Sequence, residues 1–422
     1  MSEKTKLEEV VSKAKTDEET NCWKKVPLSK VIEPVLGKTP QRSESEYWEG
    51  DIKWASAKDI SSNSTRKIYD TEEKMTEAGK KTSNAPIMPE NTVVVVARGS
   101  VGEVAQLGEP MTFNQTCYGL RTNDELLDDY LYYAWKYVLN RVLSITYGTI
   151  FDTITMHSFK DIEIPLPPIK EQRKIANIFS VFDDKIETNN KINRLLEEIA
   201  QIIFKSWFVD FEPYNEFKDS ELGKIPKEFE VTTFSEICKT CGGGTPSTKK
   251  DEYWGGKNFW LTPSEVTSLN SPIAYDTERK ITEEGLNEGS AKIMQSDSVL
   301  LTSRATVGEV VVNKEPMSTN QGFICVEPNE NIPTYFMMHL IRSKRPSIEN
   351  RASGSTYPEI SQTSFNGIKI AIPPKEDSKK FEKIANQIYS KIYVAEIEND
   401  KLSNLRETLL KKLISGEIRV GD

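Results

Sequence analysis

The phrase EYWEGDIKW, which holds Tyr47, Trp48 and Trp54, returns as EYWGGKNFW with Tyr253, Trp254 and Trp260, an offset of 206 residues. The same offset carries Thr39-Pro40 to Thr245-Pro246, YDTEEKMTEAG from Tyr69 to YDTERKITEEG from Tyr275, and RGSVGEV from Arg98 to RATVGEV from Arg304. Asn114-Gln115 returns as Asn320-Gln321, and EIPLPP ending at Pro168 returns as KIAIPP ending at Pro374. No insertion or deletion interrupts the series. Such a duplication constrains the fold more than composition does, because two different sequences must satisfy one backbone. A period of 206 residues is far longer than the roughly 20–50 residues of a solenoid unit, so each copy is a whole domain. A chain of 422 residues has room for two or three such cores.

Within a copy the texture is short and β-like. IMPENTVVVVARGSVGEVAQL and IMQSDSVLLTSRATVGEVVVN each read as a strand, a small-residue turn and a strand. DELLDDYLYYAWKYVLNRV and IPTYFMMHLIRSKRPSIEN repeat apolar residues at three and four, which predicts a helix in each copy. Asp124, Glu125, Asp128 and Asp129 open the first of these and Arg141 closes it, in the sense that the helix dipole favours. Each copy is therefore an α+β domain.

After Pro168 and again after Pro374 the pattern becomes that of a long amphipathic helix, and both stretches carry KIAN near the start. Ile175, Ile178, Phe182, Ile192, Leu196, Ile199 and Ile203 fall on a and d positions of a heptad, interrupted at Lys185 and Asn189. Phe381, Ile384, Ile388, Ala395, Leu402, Leu405 and Leu409 fit the same template. Each helix spans roughly 50–60 Å at the usual rise. The two seams have a partner in each other; packing of each helix on its own domain is the alternative. The organisation expected is a charged segment 1–21, a domain 22–168, a helix 169–211, a domain 212–374 that opens with a linker 212–228, and a helix 375–422.

Composition narrows the function. Hydrophobic content of 37% and charged content of 28% are ordinary for a water-soluble chain, and no apolar run reaches the roughly 18–20 residues of a membrane span. MSEKTKLEEVVSKAKTDEETN lacks the apolar core of a secretory signal, so a cytoplasmic location is expected. Five cysteines are too scattered for a disulfide framework. Cys238 and Cys241 form one C-x-x-C, but His157 and His339 lie far from it in sequence, and no metal site is expected. There is no phosphate loop, dinucleotide fingerprint, N-P-P-Y methyltransferase motif or G-x-S-x-G elbow. Glu72-Glu73-Lys74 and Glu278-Arg279-Lys280 resemble part of a metal-nuclease triplet, though a solvated turn accounts for them. The net charge of -9 argues against a nucleic-acid binder unless the acid lies away from the binding face. Much of it does fall in the N-terminal segment, in FEPYNEFKDSELGKIPKEFE and on helix faces.

The order domain, helix, domain, helix, with PLPPIKEQRKIANIF and SWFVDFEP bounding the first helix, ELGKIPKEFEV opening the second domain and LISGEIRV ending the chain, resembles the specificity subunit of type I restriction-modification systems. The resemblance runs from about Trp23 to Val420. It implies an α+β fold of two tandem-repeated α/β target recognition domains separated by two long helices that pair as an antiparallel coiled coil. It also implies a non-catalytic subunit that binds double-stranded DNA at a bipartite target. Two modification (methyltransferase) subunits would bring S-adenosylmethionine, and two restriction (motor-nuclease) subunits would bring ATP and Mg; no cofactor is expected in this chain. The competing readings are a stand-alone metal-dependent nuclease, a fused restriction-methylation enzyme, or a scaffold that does not read sequence.

Base edges and phosphates are contacted by cationic and polar side chains on turns. The candidates are Arg98 with Ser100, Arg304 with Thr306, and Tyr147, Thr149, Ser355, Thr356 and Tyr357 before the last strands. Candidate phosphate grips are Arg42, Lys58, Arg66, Lys67, Lys249, Lys250 and the cluster from Arg342 to Arg345. Asn114-Gln115 and Asn320-Gln321 fit either adenine contacts or structural turns. Half-site specificity is expected where the copies differ: QRSES against STKKD, SSNSTRKI against TSLNSPIA, and GTIFD against GSTYP.

Overall fold

Four consecutive valines, Val93–Val96, leave neither face of a pleated strand for water, so the strand that they form belongs inside a sheet covered on both sides. A computed structural model of the chain describes residues 23–63, 65–146, 153–354 and 358–421. Val93 and Val95 join a cluster with Tyr130, Leu131 and Trp135, while Val94 and Val96 join Met88, Met111 and Phe113 on the opposite face. The strands of the first copy are β1 Lys25–Pro27, β2 Ile32–Leu36, β3 Trp48–Ala55, β4 Lys67–Ile68, β5 Glu73–Met75, β6 Val93–Val96, β7 Val104–Leu107, β8 Thr112–Phe113, β9 Cys117–Thr122 and β10 Glu163–Pro165. Five of them form a sheet in the order β2-β9-β6-β7-β4, three form a second sheet in the order β5-β3-β8, and β1 pairs with β10.

The second copy repeats this topology. Cys238–Gly242, Phe323–Pro328, Val299–Thr302, Val310–Asn313 and Ile273–Ala274 make its five-stranded sheet in the same order, and Arg279–Ile281, Trp254–Leu261 and Met317–Thr319 make the three-stranded one. The helix of the first domain is continuous over Asp128–Thr146, whereas its counterpart is split into Thr334–Ser343 and Arg345–Arg351. Pro346 stands in the first turn of the second piece, where its missing N–H costs nothing; inside one unbroken helix it would leave a carbonyl unpaired.

The twin aromatic phrases build the three-stranded sheets. Both Trp48 and Ile52 register against Met75, so the pairing is interrupted across residues 49–51, where Glu49 takes φ 62°. Trp54 is buried with its indole N–H donating to the Lys38 carbonyl at 2.8 Å, and Trp48 meets it edge to face at 5.1 Å. Trp260 and Trp254 repeat the arrangement at 5.0 Å. These rings are core and frame.

The long helices run over Ile169–Phe208 and Lys375–Ser415. By contact density the chain forms two units, one of residues up to Thr188 with Asn399 onward, the other of Asn189–Glu398. Each therefore holds one domain and part of both helices. In the second unit Asn189 bonds Glu398, Asn193 bonds Glu396, and Phe204 packs on Phe381, so partner numbers fall as helix numbers rise and the pair is antiparallel. In the first unit Ile175, Phe179 and Phe182 share a cluster with Leu402, Leu405, Leu409 and Leu413, and Arg406 bonds Asp183.

Strict heptads describe the second helix better than the first. Ile192 and Ile199, expected on the seam, are each 47% exposed. The buried face instead follows Asn189, Asn193, Ala200, Phe204 and Phe208. The reason is a third helix: Phe204 also contacts Phe336 and His339 of Thr334–Ser343, so the buried face is set by two neighbours and follows the 3.6-residue turn rather than a 3.5-residue repeat. The two arrangements weighed from the sequence, helix on helix and helix on domain, occur together.

His339 lies at that junction, 3% exposed, stacked on Phe204 and with Nε2 2.9 Å from the Tyr389 hydroxyl. Burial, reinforced by the Arg342 charge, pushes its imidazole down to about 3. Unfolded imidazole titrates near 6.5, so as pH falls the unfolded chain takes the proton first. The stability that neutral His339 provides is full above about pH 6.5 and declines by about 1.4 kcal/mol per pH unit until the folded ring titrates. Denaturant unfolding is expected to lose about 2 kcal/mol from this source between pH 7 and pH 5. His339→Phe, which keeps a ring in the stack, should remove that component; an undiminished pH dependence in the variant would assign it elsewhere.

Candidate nucleic-acid interface

The turn between β6 and β7 is exposed at Arg98, Gly99 and Ser100 and anchored immediately on either side. Ala97 N–H donates to the Thr116 carbonyl at 2.7 Å, and the Ala97 carbonyl accepts from Ile154 N–H at 3.0 Å and Thr153 Oγ1 at 2.8 Å. Gly102 N–H donates to the Val96 carbonyl at 2.9 Å, and its own carbonyl accepts from the buried Trp135 indole at 2.8 Å. Gly99 at φ +86° and Gly102 at φ +91° permit the reversal, and a Cβ on Gly102 would fall 2.6 Å from Leu139. In the second domain Ala305 takes the same left-handed conformation at φ 62°, a strained choice for a side chain, and Gly308 takes φ +99°. The turn is thus short, rigid at its base and open at its tip.

Other segments converge on the same end of the sheet. Gly37 N–H donates to the Cys117 carbonyl at 3.1 Å and Lys38 N–H to the Phe113 carbonyl at 2.9 Å, which places Lys38 and the exposed Gln115 near Arg98. The Asn114 Oδ1 is engaged within its own turn, accepting from Thr116 N–H at 3.1 Å and Thr116 Oγ1 at 2.6 Å. Asn320 caps its turn in the same way through Gly322 N–H at 2.8 Å. Gly244 stands where the first domain has Lys38, and its carbonyl accepts the Trp260 indole at 2.9 Å.

The candidate cations divide sharply by partner. Arg42 forms a forked pair with Glu73 at 2.5 and 3.0 Å and lies 4.9 Å over the Trp48 ring. Lys58 pairs with Glu72 at 2.8 Å. Arg66, nine-tenths buried, bridges Asp129 and Asp184 at 3.3 and 3.4 Å, and Lys67 pairs with Glu90 at 3.2 Å. Lys250 donates to the Tyr253 hydroxyl at 2.6 Å. Arg342 pairs with Glu197 at 2.7 Å, and Arg345 with Glu309 and Glu349 at 2.8 and 2.7 Å. Arg304 pairs through Nε with Glu359 at 2.8 Å. Arg98 and Lys249 are exposed and have no carboxylate partner among the described residues. Ser100 and Thr306 are exposed beside their arginines. Tyr147, Thr149, Ser355, Thr356 and Tyr357 lie outside the described residues. The acidic triplet candidates are tied up in the pairs of Glu72 and Glu73, and Cys241 sits across the strand pair from Cys325 with Sγ 3.5 Å from Met294 Sδ.

Two features escaped a reading of the sequence. Arg279, where the first copy has Glu73, lies 3.5 Å over the Trp254 ring and, from the strand paired with Trp254–Leu261, takes the place that Arg42 fills from a turn in the first copy. Glu359, where the first copy has Thr153, engages Arg304. Comparing charges pairwise between copies, Arg42–Glu73 with Thr248–Arg279, would have exposed the first. A separate surface lies on the long helix: Ile192, Leu195, Ile199 and Ile202, spaced three and four apart, are 47 to 66% exposed.

Comparison with known proteins places this geometry. The model of the type I restriction modification DNA specificity domain matches twice, at residues 21–198 and 226–405. The MjaIX type I restriction enzyme specificity subunit of Methanocaldococcus jannaschii is 30% identical over 411 residues, 94% of each chain. The HindI specificity subunit of Haemophilus influenzae is 27% identical over 332 residues, 64% of this chain and 72% of that one. A crystal structure of a type I restriction-modification S subunit from M. genitalium has the same fold, with a TM-score of 0.60 at 22% identity over 95% of this chain and 98% of that one. No described helix is long and apolar enough to cross a membrane. With the domain model matched in both copies and a relative similar over nearly the whole length, the chain belongs to the family of type I restriction-modification DNA specificity subunits.

Proposed function

We propose that this chain reads a bipartite target in double-stranded DNA, one half-site per repeated domain, and holds modification and restriction subunits to it while catalysing no step itself. The observation that carries the reading is the pairing of like frames with unlike tips. Both domains build the same sheet end, yet they present Ser43-Glu44 against Lys249-Lys250, and Thr153 against Glu359. Like frames suit a common way of docking on the phosphate backbone; unlike tips suit different base sequences. Phosphate contacts from Arg98 and Lys249 make binding steeply salt dependent. The net acidity leaves this chain a weak binder alone, with further cations supplied by its partners.

The apolar stripe Ile192, Leu195, Ile199 and Ile202 is the surface offered to a modification subunit, two of which would bring S-adenosylmethionine; two restriction subunits would bring ATP and Mg. The chain itself needs no cofactor, and the complex works in the cytoplasm. Since Ile199 and Ile202 are exposed, Ile199→Asp with Ile202→Asp is expected to leave unfolding within about 0.5 kcal/mol of the parent and to abolish co-purification with the modification subunit. Retained co-purification would remove this stripe from the interface. For the central reading, segments 41–45, 61–68 and 148–152 are exchanged with 247–251, 267–274 and 354–358, and host DNA is sequenced for methylation. One half-site is expected to change; an unaltered motif would overturn the assignment of base reading to these segments.

A further inference from the structure

The two equivalent turn arginines sit in different electrostatic surroundings. Arg304 is engaged at Nε by the Glu359 carboxylate at 2.8 Å. Glu359 is itself fixed in the backbone, exchanging two hydrogen bonds of 2.9 Å with Ser353, and the next residue, Ile360, donates to the Ser303 carbonyl at 3.1 Å. In the first domain Thr153 occupies the position of Glu359 and turns its hydroxyl to the Ala97 carbonyl at 2.8 Å. Arg98 consequently has no carboxylate against it among the described residues. Among the described residues, one turn carries a net positive charge at its tip and the other carries none.

We propose that the two turns divide DNA recognition chemically: Arg98 is a phosphate grip, and Arg304, oriented by Glu359, is a base reader that selects a guanine in the second half-site. A carboxylate on Nε fixes the plane of the guanidinium and leaves the paired terminal N–H groups facing outward. That fork matches O6 and N7 of guanine in the major groove. The same carboxylate cancels the charge that makes an arginine a good phosphate ligand, so the pair contributes direction rather than salt-dependent affinity. Arg98, held by no carboxylate among the described residues, has the opposite properties. Glu359 acts here as a positioning residue, and its counterpart Thr153 performs no such task. The inference rests on the proposed role of the chain as the DNA reader and refines which turn does what.

The test uses the full complex of this chain with its modification subunits, on duplexes carrying the methylation motif of the parent. Salt dependence of binding and methylome sequencing are read in parallel. Arg98→Ala is expected to weaken binding to all duplexes, to leave the motif unchanged and to reduce the slope of log K against log salt by about 1. Arg304→Ala and Arg304→Lys are expected to make one guanine position of the second half-site degenerate with little change in slope, because Lys keeps the charge and loses the fork. Glu359→Thr should loosen the same position and raise the slope by about 1, converting this turn to the chemistry of the other. An intact motif with a reduced slope for Arg304→Ala would overturn the proposal. So would an unchanged motif in both Arg304 variants. If the segment exchange still moves a half-site in that case, the general reading of the chain stands and only this assignment fails.

Discussion

The structure depends on the packing of each domain's helix against the two long helices. In the second unit Phe204 and Phe208 meet Phe336 and Phe381, and Tyr335 stacks on Tyr389 at 4.4 Å. In the first, Tyr133 packs on Phe179 at 5.0 Å and donates to Asp183 at 2.6 Å, which in turn takes Arg406. Neither domain completes its core without residues from both helices. Removing Arg406 would leave Asp183, 7% exposed, as a nearly buried carboxylate without its cation, a change that costs about 3–5 kcal/mol in comparable pairs. The long helices are thus structural members of each unit as well as a surface for partners.

One backbone satisfied by two sequences also shows which features the frame requires. The tryptophan pair carries a cation over it in both copies, supplied by Arg42, with Glu73, from the turn before the tryptophan strand in one and by Arg279 from the paired strand in the other. The turn at Arg98 and at Arg304 needs a residue at positive φ, met by Gly99 in one and by strained Ala305 in the other. At the exposed pair Ser43-Glu44 against Lys249-Lys250, and at Thr153 against Glu359, the copies diverge. Divergence at exposed positions on a shared frame is the pattern expected when specificity must vary and docking must not.

Partnering explains why most candidate cations were not distinguishable in advance. Arg66 and Lys67 read as candidate phosphate grips, yet Arg66 lies under Asp129 and Asp184. Asp184 is 118 positions away in sequence. Arg342 likewise closes on Glu197. Side-chain charge is visible in a sequence, but whether it is neutralised depends on contacts between distant segments, and of the candidate arginines only Arg98, among the described residues, emerged without a carboxylate.

The sequence by itself determined the duplication, the α+β character of each copy, the strand-turn-strand at each arginine and the presence of a long helix after each domain, because all of these are written in local periodicity or in self-similarity. The tertiary structure decided which face of the first helix is buried, leaving Ile192 and Ile199 in water, because a third helix from the domain shares that interface. It also decided which arginines are free and which are held, because a charge acquires its partner only when the chain closes on itself.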